Sequence, residues 1–222
     1  MMDWQAILTA LPSLGEGMAV TLQLCAVAAL CSLLWGIIMA IGMLRAPHFW
    51  RKLLRLYSAL TQALPLLVVI YLLYFVLPDY NITLSSPQAG VLALTLYYAP
   101  YVAQVIRSAI ETLPRGQWEA CRVLGLSRME QLRDVALPQT LPQMLSPLVG
   151  LLIGLIKDSA LLSIVSVQEF MYAAKEAISE TYAPLEIYLT VALSYWTLNS
   201  LLDGLIRRIE FRMTRYRRTL PH

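Results

Sequence analysis

Lys157 and Asp158 close an uncharged run of eighteen residues, 139–156, and Ser159 follows them. A charge at the centre of a bilayer costs roughly 2.5–3.5 kcal/mol on insertion scales. Ionisable residues inside a membrane segment therefore point to function, whereas the same pair at a span end is simply held at the interface. Both readings stand for Lys157, Asp158 and Ser159. The longest charged stretch is 114–138, PRGQWEACRVLGLSRMEQLRDVALP, with Arg115, Arg122, Arg128 and Arg133 among Glu119, Glu130 and Asp134, and Arg107 and Glu111 just before it. Glu119 reads either as a solvated carboxylate favoured by a helix start or as one side of an ionic contact with another protein. No catalytic constellation accompanies these charges. The two histidines are His48, in a basic loop, and His222. No H-x-x-x-H or C-x-x-C spacing points to a metal, and no G-x-x-x-x-G-K-[ST] loop points to a nucleotide.

The elements that must position these residues are apolar. The chain of 222 residues is 58% hydrophobic and 14% charged, with mean hydropathy +0.61, against roughly 25% charged for a soluble domain. The uncharged runs predict an all-α membrane protein with five transmembrane helices, over about 17–44, 56–77, 88–106, 139–156 and 184–206. Pro65 interrupts the second run, and a membrane helix tolerates a proline when neighbours satisfy the freed carbonyl. Pro142, Pro147, Gly150 and Gly154 fall in the fourth, where small residues allow close helix approach. Residues 1–16 carry Asp3 and Glu16 but no basic residue, unlike a secretory leader. Of 17 Lys and Arg, four lie in Arg45–Arg55, five in Arg107–Arg133 and six in the tail Arg207–Arg218. Cytoplasmic loops carry such an excess, so the N-terminus is expected outside, the C-terminus and the stretch 114–138 inside, and the acidic segment Glu169–Glu186 outside. The tail suits an anionic-lipid anchor. The tyrosines 71, 74, 97, 98 and 101 read as interface belts and packing. Asn81-Ile82-Thr83 has the form of a glycosylation sequon. Cys25 and Cys31, inside an apolar run, read as small hydrophobes.

Within 114–138 the local grammar is two short helices and a tight break. Pro114 suits a helix start. Residues 117–124 set Trp118, Cys121 and Leu124 at helical spacing. Gly125 is a natural stop, Ser127-x-x-Glu130 is a capping box, and Pro138 is expected to end or kink the second helix.

Glu119-Ala120-Cys121, Gly125, Val135 and Leu137-Pro138 together resemble the EAA signature of ABC importer permeases. Tyr57 with Pro65-Leu66-Leu67, Gly116-Gln117-Trp118-Glu119-Ala120, Leu137-Pro138-Gln139 and Lys157-Asp158-Ser159-Ala160-Leu161 resemble the polar amino-acid branch, and the likeness runs from about Gly17 to Glu210. The resemblance implies the type I importer permease fold in a bacterial inner membrane, with 114–138 as a coupling-helix loop that docks on a cytoplasmic ATPase. Gly116, Gln117, Glu119, Ala120, Cys121, Gly125, Leu137 and Pro138 are the coupling positions. Gln62, Pro65, Gln104, Lys157, Asp158 and Ser159 are the pathway candidates. The implied partners are an ABC ATPase dimer, a second permease subunit (identical or homologous), an extracytoplasmic solute-binding protein and the lipid bilayer. No nucleic acid is expected, and no cofactor on this chain, ATP and Mg belonging to the ATPase. The chain departs from the pattern where the branch has Glu, Arg, Gly and Thr before Pro-Leu-Leu; it has Ala59, Gln62, Ala63 and Leu64. It also has Gln104 where a Glu often stands, and Cys121 where Ala is usual, which reads as packing. Gln62 and Gln104 can hydrogen-bond a ligand or each other. Two other readings compete: a membrane scaffold or channel without ATP coupling, disfavoured by the EAA-like spacing, and an intramembrane enzyme, disfavoured by the missing constellation.

Overall fold

A computed structural model describes residues 3–215, with side chains to residue 209. Arg217 and Arg218 of the basic tail, and the side chains of Arg212 and Arg215, lie outside the described residues. The described residues contain helices and turns but no strand: α1 (Trp4–Arg45), α2 (His48–Ala63), α3 (Leu66–Tyr80), α4 (Ser86–Glu111), α5 (Arg115–Val123), α6 (Arg128–Val165), α7 (Phe170–Thr181) and α8 (Pro184–Arg215). Among them α1, α4 and α6 are long and apolar enough to cross a membrane, and α2 with α3 form a fourth candidate bent by 107°.

The first helix starts well before the expected residue 17. Asp3 caps it, accepting from the amides of Gln5 and Ala6 at 3.0 and 3.2 Å. Its buried residues apart from Ala40, namely Ala6, Ala10, Leu14, Gly17, Thr21, Cys25, Ala28, Ser32, Gly36, Met39 and Met43, step by 4, 4 and 3. An eleven-residue repeat keeps such a stripe on one face, and most of its members are small, so neighbours approach closely. The N-terminal part packs on α7 and α8 through Ala10, Leu14, Phe170, Ala174 and Ile187. The C-terminal part packs on α4 through Met39, Ala40, Met43, Ala99 and Ala103. Between them the central core gathers Cys25, Ile70, Leu94, Leu155, Leu162 and Val165 from α1, α3, α4 and α6.

Two prolines behave differently from expectation. Pro65 is not absorbed into a straight span. Leu64 before it is extended at φ −92°, ψ 140°, as a residue preceding proline prefers, and the chain turns by 107°. Pro138 does the reverse, for the helix passes through it. A proline ring clashes with the carbonyl four residues back and gives it no N–H; that residue, Asp134, lies in a π turn over Gln131–Ala136, where Leu137 N–H donates to Leu132. The widened turn absorbs the ring, and α6 continues to Asp158 before tightening into a 3-10 turn over Ser159–Val165.

Candidate functional site

The coupling stretch folds as two caps back to back. Gly125 sits at φ +69°, a conformation that costs any side chain but glycine's. Leu126 N–H donates to Cys121 O at 3.0 Å and Gly125 N–H to Arg122 O at 3.1 Å, the paired bonds of a Schellman ending. Two residues on, Ser127 N–H donates to the Glu130 carboxylate at 2.7 Å while Glu130 N–H donates to the Ser127 hydroxyl at 3.3 Å. The turn is thus fixed on both sides. Cys121 is buried, whereas Gly116, Gln117, Glu119, Ala120, Leu137 and Pro138 are exposed. At the tip Val123, Leu124 and Met129 are 86%, 75% and 63% exposed, an apolar patch beside Glu119 and Arg122. Exposed apolar patches rimmed by polar groups mark interaction surfaces. The stretch is tied to α6 by Gln139, whose amide donates to Gln117 at 3.1 Å. One turn further along α6, Gln143 accepts from Thr112 at the end of α4 at 3.4 Å.

Among the pathway candidates, Gln62 and Gln104 meet: the amide of the first donates to the carbonyl of the second at 3.0 Å. Two departures from the sequence pattern are therefore one contact, a neutral amide pair between α2 and α4. They line a small cavity of about 190 Å³ with Arg55, Ser58, Ala59 and Arg107. Gln104 also lines a larger groove of about 390 Å³ with Tyr101, Ser108, Thr112, Gln143 and Pro147.

Lys157 and Asp158 do not face each other. Adjacent residues on a helix point about 100° apart, and here they address different partners. Asp158 accepts a hydrogen bond of 2.7 Å from the Tyr98 hydroxyl on α4. Gly154, one turn earlier, makes room for that phenol, since a Cβ there would lie 3.0 Å from the Tyr98 oxygen. Lys157 is exposed and lines a groove of about 430 Å³ with Tyr195, Trp196, Asn199 and Asp203 of α8. Ser159 is buried and donates to Ile156 O at 2.8 Å, closing its own helix. Pro65 marks the bend, and its carbonyl accepts from Val68 N–H at 3.0 Å and from Val69 N–H at 3.4 Å.

Of the two readings of the tyrosines, packing holds for Tyr98, which is buried; sequence reasoning missed it as the partner of Asp158. It also missed Glu169. The acidic segment 169–186 does not lie wholly at the surface, because Glu169 is fully buried. Its carboxylate caps α7, accepting from Met171 and Tyr172 amides at 3.0 and 2.8 Å and from Thr21 of α1 at 3.4 Å, while the Thr21 hydroxyl accepts from Phe170 N–H at 3.0 Å. The signal was present: a carboxylate just before an apolar helical run, and a hydroxyl within the small-residue stripe of α1.

The family of binding-protein-dependent transport system inner membrane components matches residues 32–215. The arginine ABC transporter permease protein ArtQ of Haemophilus influenzae is 34% identical over 199 residues, covering 86% of this chain and 90% of that protein. The L-cystine transport system permease protein TcyB of Bacillus subtilis is 30% identical over 206 residues, covering 92% and 88%. Among solved structures, an amino acid ABC transporter crystallised with histidines superposes with a TM-score of 0.89 at 27% identity, covering 96% of this chain and 99% of that one. The EAA-like loop, the apolar helices and these likenesses agree: the chain belongs to the inner membrane components of binding-protein-dependent transport systems, the permease subunits of ABC transporters.

Proposed function

We propose that this chain is the permease subunit of an ATP-driven importer for an amino acid or related small polar solute in a bacterial inner membrane. It forms the translocation pathway with a second permease subunit, receives solute from an extracytoplasmic binding protein and couples to a cytoplasmic ATPase dimer that holds the ATP and Mg. Five crossings, by α1, α3, α4, α6 and α8, with α2 leading into α3 at the Pro65 bend, put the N-terminus outside and α5 in the cytoplasm as the coupling helix. The observation that carries this reading is the loop tip: Val123, Leu124 and Met129 stay exposed although the turn beneath them is fixed by a Schellman ending and a capping box. Apolar groups held rigidly in the open fit a preformed docking surface. Gln117–Gln139 then joins that surface to α6, whose other end bears Asp158. The neutral pair Gln62–Gln104 and the carboxylate–phenol pair suit a polar solute, and the relatives' named substrates, arginine and cystine, support an amino acid.

Co-expression with a candidate ABC ATPase from the same genome, copurification, and ATP hydrolysis with and without candidate amino acids and the binding protein test the assignment. A complex that forms but shows no solute-stimulated hydrolysis and no uptake with any amino acid refutes the importer reading. Labelling of Ser127→Cys by a membrane-impermeant reagent from outside intact cells overturns the orientation.

A further inference from the structure

We infer that α2 is not a crossing helix but lies in the plane of the membrane, seated on an anionic lipid surface at the leaflet where α1 ends. The direction follows from its neighbours. α3 runs along α4, with Leu66, Val69 and Ile70 packed against Ala93 and Leu94 and the Ser86 hydroxyl donating to Tyr74 at 3.2 Å. Since α4 crosses the membrane, α3 follows the normal, and α2, turned 107° from α3, is close to perpendicular to it. Its contacts agree: Tyr57 donates to Leu96 O at 2.6 Å and Gln62 to Gln104 at 3.0 Å, and Arg55 shares a cavity with Arg107, so α2 meets α4 from its middle toward Glu111.

The faces of α2 identify what covers it. Its packing side is narrow, and of its 16 residues only Thr61 is buried. Phe49, Leu53, Leu56 and Leu60 step by 4, 3 and 4 along one face and are 46–69% exposed. His48, Lys52 and Arg55 step by 4 and 3 along the next face and are exposed as well. No acidic residue stands anywhere between Glu16 and Asp79. An apolar stripe flanked by a basic one is the pattern of a helix with its apolar side 5–10 Å into the headgroup–acyl boundary and its cations among anionic headgroups. A second copy of the chain fits worse, because a two-fold contact through this face sets Lys52 and Arg55 against their own symmetry mates.

The inference is tested on the full transporter in nanodiscs, with Cys25, Cys31 and Cys121 replaced by Ala and spin labels placed singly at 49, 52, 53, 55, 56 and 60. Oxygen and a water-soluble nickel chelate report depth. The labels at 49, 53, 56 and 60 are expected at one shared shallow depth, and those at 52 and 55 in contact with the chelate. A depth that changes along α2 by about 1.5 Å per residue overturns the in-plane placement, and apolar-face labels shielded from both quenchers overturn the lipid occupant in favour of a protein one. Phosphatidylglycerol added to phosphatidylcholine is expected to draw the label at 56 deeper, an effect lost in high salt and absent in Lys52→Gln/Arg55→Gln. A label indifferent to phosphatidylglycerol overturns the anionic preference.

Discussion

The contact between Tyr98 and Asp158 gives the sharpest test of the pathway. A phenol 2.7 Å from a carboxylate oxygen is a charge-assisted hydrogen bond, a class that contributes about 1.5–3 kcal/mol against about 0.5–1.5 kcal/mol for a neutral one. Tyr98 is only 6% exposed, so water does not replace the lost partner freely. Tyr98→Phe removes the donor and leaves the carboxylate facing an aromatic ring. Asp158→Asn keeps a carbonyl acceptor for the same phenol and loses only the charge assistance, about 1 kcal/mol. In a state of the transport cycle that depends on this bond, Tyr98→Phe is expected to slow uptake about tenfold or more and Asp158→Asn about fivefold, at 1.4 kcal/mol per factor of ten. The double variant should be no worse than Tyr98→Phe alone, because both changes act on one bond. Gly154→Ala, which sets a methyl against the phenol oxygen, should resemble Tyr98→Phe. Lys157→Gln should stand apart, since Lys157 faces α8. Uptake into proteoliposomes, at matched complex yield and melting temperature, measures all five and the Lys157→Gln/Asp158→Asn pair. Additive losses for Tyr98→Phe and Asp158→Asn, or a loss in Lys157→Gln that disappears when Asp158→Asn is added, refute this pairing; the second result restores a Lys157–Asp158 ion pair.

Gly125→Val should sharply reduce ATPase copurification with little loss of membrane insertion, whereas Gly125→Asn, which accepts positive φ more readily, should retain most of it; no neighbour lies within 4 Å of a Cβ there, so backbone strain alone separates them. Gln104→Leu should destabilise the complex by about 0.6–1.7 kcal/mol through the orphaned Gln62 amide, and Gln62→Arg combined with Gln104→Glu should recover the melting temperature that either single change lowers. Ser127 holds the Glu130 carboxyl below the usual glutamate range through its hydroxyl and its amide. A depressed pKa means that the cap's contribution is complete above the ordinary value of about 4.3 and is lost as pH falls through the depressed one; ATPase docking followed downward from pH 7 should therefore weaken only below that ordinary value, and Ser127→Ala should weaken it at every pH.

Much of this molecule was legible because its signals are local. Gly125 as a stop and Ser127-x-x-Glu130 as a start depend on a few neighbouring residues, and the turn folds as they dictate. Long uncharged runs located α1, α4 and α6 for the same reason, whereas the run 56–77 straddles the bend at Pro65 and α8 is not among the described helices long and apolar enough to cross. What escaped the sequence depends on which face a residue presents to a distant partner. Lys157 and Asp158 are adjacent in the chain, so a mutual pair was the natural reading, yet helical geometry sends one to α8 and the other to Tyr98, 60 positions earlier. Glu169 looked like one of several surface acids because nothing nearby in sequence announces Thr21, 148 positions away. Pro65 and Pro138 show the limit of a residue-type rule. Each removes a donor and adds a ring, but an extended Leu64 turns the first into a bend and a π turn lets the second pass.

These two prolines also mark where the helices depart from regular geometry. From Gln139 to Asp158 the helix is continuous, with Pro142 and Pro147 inside it, about 30 Å at 1.5 Å per residue. Its near end is held to α5 by Gln117 and to α4 by Thr112, its far end to α4 by Tyr98. The only irregular stretch between the loop tip and this rod is the π turn at Gln131–Ala136, and helices bend at such turns. If α5 docks on an ATPase as proposed, a displacement of the loop can be taken up at the π turn or passed along the rod. The Gln117–Gln139 bond lies beyond the π turn as seen from Ser127, and it bypasses that joint. Side-chain contact at Gln139, rather than backbone continuity through Pro138, is therefore what would carry motion from the docking surface to Asp158.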